Sequence, residues 1–147
     1  MTGPKSKKTW GPTTSLKIHG LREEECLPIR LNMLGQPVGS NRAPLSNYLG
    51  TLAKNAHLVP IKYTSWKELK LNEPESWEDD MWATITSKID IEERGKKWVF
   101  KTICSSWKTN KCRLKKKHFN ANMTEVYNLK NRPSSVPLEQ WIILMKY

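Results

Sequence analysis

Between Arg94 and His118 the chain has no aspartate or glutamate, although ten lysines and arginines fall in the same span. Other things are scarce as well. There are only three cysteines, Cys26, Cys104 and Cys112. They are an odd number outside any disulfide-scaffold pattern, so a reducing compartment is expected. No apolar run approaches membrane-spanning length. The N-terminal "MTGPKSKKTWGPTT" is basic without the apolar centre of a signal peptide. The chain therefore reads as a soluble intracellular protein with no membrane partner. The glycosylation sequon at Asn122-Met123-Thr124 is then a chance match.

Absent pairings exclude two kinds of chemistry. Cys104, Cys112 and His118 are separated by seven and five intervening residues. Structural zinc sites include a closer cysteine pair, and no fourth ligand stands out, so no metal is expected. Metal-dependent hydrolytic chemistry needs carboxylates that hold two metal ions. The acids here are Glu23–Glu25 in a loop, Glu73–Asp80 at a helix start, and scattered single residues. Acids crowding a helix start suit the helix dipole. No catalytic residue, cofactor or small-molecule substrate is implied.

What the chain does have is tryptophan and localised charge. Hydrophobic residues are 37% of its 147 residues, which allows one modest domain with flexible flanks. Seven tryptophans require a real core wherever they cluster. The net charge is +11. Residues 21–93 carry more acids than bases, so the excess is concentrated in residues 94–118, with a smaller basic tail before residue 20. A field focused in this way suits a polyanion better than a small substrate.

Along the chain, residues 1–15 form a disordered basic tail by composition. Residues 16–43 form a hairpin and loop region, with strands at Leu27–Asn32 and Gln36–Val38 limited by Pro28 and Pro37. Residues 44–147 form the helical domain. Leu45, Leu49 and Leu52, with Tyr48 beside them, share a helix face running to about Asn55. "HLVPIKY" reads as extended. "TSWKELKL" begins a short helix capped by Thr64 or Ser65. In "EPESWEDDMWATITSKI" Ser76 and Asp79 resemble a capping pair, and Trp77, Met81, Trp82, Ile85 and Ile89 share an arc of roughly 140°.

The third helix starts near Glu92 to Gly95. Val99, Ile103, Trp107 and Leu114 fall within roughly 80° of one another on the helical wheel. Arg94, Lys97, Lys101, Lys108 and Lys115 occupy an arc of roughly 60° on another side. Three readings of this ridge stay open. It is a solvated face whose lysines lie over apolar neighbours, a nuclear import signal in "RLKKK", or a nucleic-acid contact, and the last two are compatible. Trp66, Trp77, Trp82 and Trp107 are read as core. Trp98 lies outside the stripe and packs on the hairpin or the C-terminal helix, with base stacking as the alternative. Pro137 opens a last helix. Its Leu138, Trp141, Leu144 and Met145 face the domain interior or a second copy of the chain.

The ordered set "GPTTSLKIHGL", "GQPVGSN", "LSNYLGTLAKN", Trp66 and Trp82, "WKTNKCRLKKKHF" and "RPSSVPLEQWIILMKY" resembles the plant transposase domain of the Ptta/En/Spm (CACTA-type) transposon family. The similarity runs from about Gly11 onward. That family's "RP..VP.EQW" element is matched by Arg132, Pro133, Val136, Pro137, Glu139, Gln140 and Trp141. Family members continue further, so a C-terminally shortened copy is expected. The spaced tryptophans Trp66, Trp82 and Trp107 also resemble the pins of a Myb/SANT-like or trihelix domain.

The resemblance implies a nuclear, transposon-derived, non-catalytic protein that binds double-stranded DNA. The expected fold is mainly α, a three- to four-helix Myb/SANT-like domain behind a small β-hairpin. Lys101, Lys108 and Lys115, with Arg94 and Lys97, would lie along the duplex. Lys111, Arg113, Lys116 and Lys117 would add phosphate contacts, and Arg113 is the candidate base reader, because a guanidinium can pair with guanine through two bonds. The runner-up is a protein-interaction module built from acidic residues 73–80 and the Trp141 helix, without direct DNA binding.

Overall fold

Proline and asparagine fix where the first helix begins and ends. The computed structural model describes residues 26–146; the basic tail expected over residues 1–15 lies outside them. Helix α1 spans Arg42–Ala53. Pro44 falls in its first turn, where a missing N–H costs nothing. Beyond its end the Asn55 side chain accepts from His57 N–H at 2.9 Å, a local turn that competes with further helix. Leu45, Tyr48, Leu49 and Leu52 are buried, as their spacing predicts.

The next two helices show one local signal that holds and one that does not. Helix α2 spans Trp66–Asn72, and Ser65 caps it by accepting from Glu68 N–H at 3.1 Å. It stops at Glu73, ahead of Pro74. Helix α3 spans Trp77–Thr86. Ser76 makes no cap bond there; its hydroxyl donates instead to Asp80 Oδ2 at 3.2 Å, so the expected Ser76–Asp79 capping pair is not formed. The helix also ends three residues short of Ile89. The hydroxyls of Thr84, Thr86 and Ser87 donate to carbonyls of the same turn, which weakens the helix at this end.

Ile89 is therefore not on the helix face. Ile89–Asp90 pairs in parallel with Leu27–Pro28, and Leu27 N–H donates to Lys88 O at 2.9 Å. That pairing takes Leu27 and Pro28 (β1) out of the expected hairpin strand. The remaining hairpin is short: β2, Arg30–Leu31, pairs antiparallel with β3, Pro37–Val38, and β4 is Ile89–Asp90. Asn32 organises its turn, accepting from the N–H groups of Leu34 and Gln36, each at 2.9 Å.

After a 3₁₀ turn at Glu93–Gly95 comes the long helix α4, Lys96–His118, about 34 Å from end to end. Helix α5 spans Glu125–Lys130 and α6 spans Leu138–Met145. The described part of the chain is mainly helical. Helices α1 and α4 form its most extensive pairing. The core runs from Leu27 through α1 and α4 to Trp141 and Leu144, so the β segments share the helices' core.

Residues 55–63 are the unusual part of this core. Val59, Pro60 and Ile61 are buried without regular secondary structure. Buried backbone polar groups need partners, and here side chains from distant elements supply them. Trp77 Nε1–H donates to Leu58 O at 2.8 Å, and Trp107 Nε1–H to Pro60 O at 3.0 Å. Gln140 does both jobs: its Oε1 accepts from Ile61 N–H at 2.7 Å and its Nε2 donates to Ala56 O at 3.0 Å. The tryptophans thus serve the core twice, as apolar bulk and as donors. Trp107 is fully buried, and Trp66 stands edge-on between Trp107 at 5.4 Å and Trp77 at 5.6 Å. Trp66, Trp77 and Trp82 are half-buried at the margin of the core rather than inside it. Trp98 packs at the margin too, with the Arg42 guanidinium of α1 6.0 Å from its ring.

Candidate nucleic-acid interface

Helix α4 divides the residues expected to carry function into three groups. Its apolar side, Val99, Ile103, Trp107 and Leu114, is buried as predicted. Opposite lie Lys97, Lys101, Lys108 and Lys116, while Arg113 and Lys117 flank the apolar side, and all six are exposed. None of these six forms an ion pair among the described residues. Lys115 is half-buried, its ammonium 5.3 Å from the Phe119 ring. The exposed cations extend from the first turn of the helix to its last.

Two expected contacts are placed elsewhere. Lys111 is only 8% exposed, with its Nζ donating to Tyr63 O at 2.6 Å and lying 3.8 Å from the Trp107 ring centre. It is a fourth pin on the 55–63 segment, not a surface cation. Burial holds its pKa below the usual lysine value, and nearby Lys108 adds to the lowering. Arg94 is exposed but engaged: Nη1 donates to Asn32 O at 2.7 Å and Nε to Glu92 Oε1 at 3.0 Å. It braces the hairpin turn against the start of α4.

The N-terminal half of the ridge is also partly neutralised. Lys96 pairs with Asp79 at 3.7 Å, and Lys70 with Glu78 at 3.9 Å, so acids of α3 face bases of α2 and α4. Lys70, Glu78 and Lys96 of these pairs rim an open cleft of about 730 Å³, in which Lys97 and Lys101 sit beside Arg94. The strongest uncompensated charge is therefore in the second half of α4, from Lys108 to Lys117.

Sequence reasoning missed the contribution of α1. A groove of about 460 Å³ runs between α1 and α4, with Ser46, Asn47, Thr51 and Lys54 on one wall and Thr109 and Arg113 on the other. It contains no acid. Hydroxyls, amides and two cations along a groove are the groups that contact phosphates in nucleic-acid complexes. The signal was present as small polar residues at helical spacing opposite Leu45, Leu49 and Leu52. Arg113 is partly oriented, its Nη2 donating to Asn110 Oδ1 at 2.8 Å.

The motif residues of the last helix turn inward. Gln140 pins Ala56 and Ile61, and Trp141 is fully buried with Nε1–H donating to Asn128 O at 3.0 Å. Asn128 in turn clasps Asn120 through two bonds, at 2.8 and 3.0 Å. Arg132 donates to Val136 O within its own loop. The Trp141 face is occupied within the domain, leaving Leu138 and Ile143 as the exposed apolar residues of α6.

Cys26, Cys104 and Cys112 are free thiols. Among the described residues no three His, Cys, Asp or Glu side chains converge as a metal site requires, and no helix is long and apolar enough to cross a membrane. Comparison with protein-family models, curated proteins and solved structures finds no match to this chain.

Proposed function

We propose that this chain is a non-catalytic DNA-binding protein of the transposon-derived plant En/Spm kind, acting in the nucleus through the outer face of α4. One observation carries the reading. A helix anchored by Trp107 presents Lys101, Lys108 and Lys116 away from its buried stripe and exposes Arg113 and Lys117 beside that stripe near its end, without an ion pair among the described residues. Charge of this kind, fixed on a rigid element, meets a polyanion with little reorganisation. The groove between α1 and α4 extends the donors sideways, so a phosphate strand would run across both helices.

In this reading α4 is the recognition helix of a Myb/SANT-like arrangement, with Trp66, Trp82 and Trp107 around its base. Arg113 is the base reader, and the lysines set register. Lys111 and Arg94 drop out of the contact set, because one is buried and the other braces the hairpin.

Binding to duplex DNA across a salt series tests the proposal. Wild type should show a steep loss of affinity with salt, and neutralising Lys108 or Lys116 should each reduce the slope by about one unit. Preference for transposon-end over random sequence would mark a sequence reader. No binding at low salt would overturn the proposal in favour of a protein-interaction module.

A further inference from the structure

The most exposed large apolar residues of the described chain sit side by side at the hairpin turn, Met33 at 99% and Leu34 at 81%. Single exposed apolar residues are ordinary, and turn tips are usually polar. This tip is different because its backbone is held from both sides. Asn32 Oδ1 accepts two of the turn's N–H groups, and Asn32 N–H donates to Gln36 O at 2.9 Å. Arg94 bonds to Asn32 O from below. Gly35 has φ +77° and packs so closely that a Cβ would lie 2.7 Å from Arg94 O. A fixed platform therefore presents two flexible apolar side chains to solvent.

Arg94 also lines the cleft that holds Lys97 and Lys101, so the tip adjoins the base-rich start of α4. Glu78 and Glu93 line the same cleft, Glu78 already paired with Lys70, and Glu92 is bonded to Arg94. Met and Leu are among the side chains that proteins insert between base pairs, partly unstacking a step and kinking the duplex. A membrane anchor would need a larger apolar face than two residues supply.

We infer that the Met33–Leu34 tip is a wedge that enters a base step of the duplex held on α4, favouring sites that kink readily. The inference rests on the DNA-binding reading above. Its specificity component comes from deformability: pyrimidine–purine steps unstack most easily.

The test uses the full chain and a duplex labelled at both ends for energy transfer, with M33S/L34S as the tip variant and K108E/K116E as the charge variant. Both substitution sets lie on exposed positions, and thermal unfolding checks that each variant folds. Wild type should raise the transfer efficiency on binding and should prefer a duplex with a central mismatch over an intact one. M33S/L34S should keep the salt slope, lose the rise, and bind the intact duplex roughly tenfold more weakly. Wild type that binds without any rise, or a tip variant with an undiminished rise, would overturn the wedge and leave DNA binding standing. Failure of wild type to bind, with no difference from K108E/K116E, would remove both readings. Tip-dependent binding to anionic vesicles with an unbent duplex would also overturn the wedge.

Discussion

The ammonium of Lys111 lies 2.6 Å from the carbonyl oxygen of Tyr63, forty-eight residues earlier in the chain. This bond ties one lysine of the basic helix to the fold, in contrast to the exposed Lys108. K111M should leave the salt slope of DNA binding unchanged. Its effect should appear in stability as a function of pH. Burial lowers the pKa of Lys111 from 10.5 in the folded chain. Below the lowered value both states are protonated; between it and 10.5 the unfolded state binds more protons. The stability of wild type relative to K111M should therefore rise as pH climbs through that window. Urea titrations of both proteins at a series of pH values measure the difference.

Tyr63 itself titrates in the opposite sense. Its phenol is pushed up to about 12, first by burial and then by the bond it donates to Glu73 Oε2 at 2.6 Å. Stabilisation from this shift is complete below pH 10.0 and fades as pH rises toward about 12. Absorbance titration should show a late tyrosinate step. E73A should move that step to lower pH.

Gln140 offers the largest expected change in stability. Q140L would remove two buried hydrogen bonds, to Ile61 N–H and Ala56 C=O. A loss of about 2–4 kcal/mol follows from two buried bonds removed at once. Denaturant unfolding followed by tryptophan fluorescence reads it directly, since Trp77 and Trp107 bond the same segment.

The hairpin brace gives a fourth expectation. G35A places a Cβ against Arg94 O at a positive φ, which should cost about 1–3 kcal/mol. R94A should loosen the same turn. Neither should alter the number of phosphate contacts, so salt slopes should match wild type while thermal midpoints fall.

Local chemistry made much of this legible beforehand. The apolar period of α1, the Ser65 cap, the long α4 stripe and the exposed lysines all depend on residues within a turn or two. The corrections share a different cause. Ile89 leaves the helix face because Leu27, sixty-two residues away in the chain, offers a strand edge while threonines weaken the helix end. Arg94 and Lys111 are engaged within the fold, contrary to expectation, because carbonyls at Asn32 and Tyr63 take their donors. A charged residue's loyalty to the surface or to the fold is set by such distant partners. One hint was available: Lys111 follows Trp107 by four residues, which puts it beside the buried ring on the same helix face. The α1 groove was missed because its signal is small polar residues, which read equally well as a solvated face.

The pinned segment has a consequence during synthesis. Ala56 O and Ile61 N–H are bonded by Gln140, 84 and 79 residues later. At roughly 5–20 residues per second, a growing chain leaves those groups waiting for about 4–17 s. Until then Val59 and Ile61 have no finished interior to enter. A pulse of protease on stalled nascent chains should cut this segment readily up to the emergence of α6, and the segment should become resistant once that helix docks. The last helix acts as the latch that closes the first half of the domain.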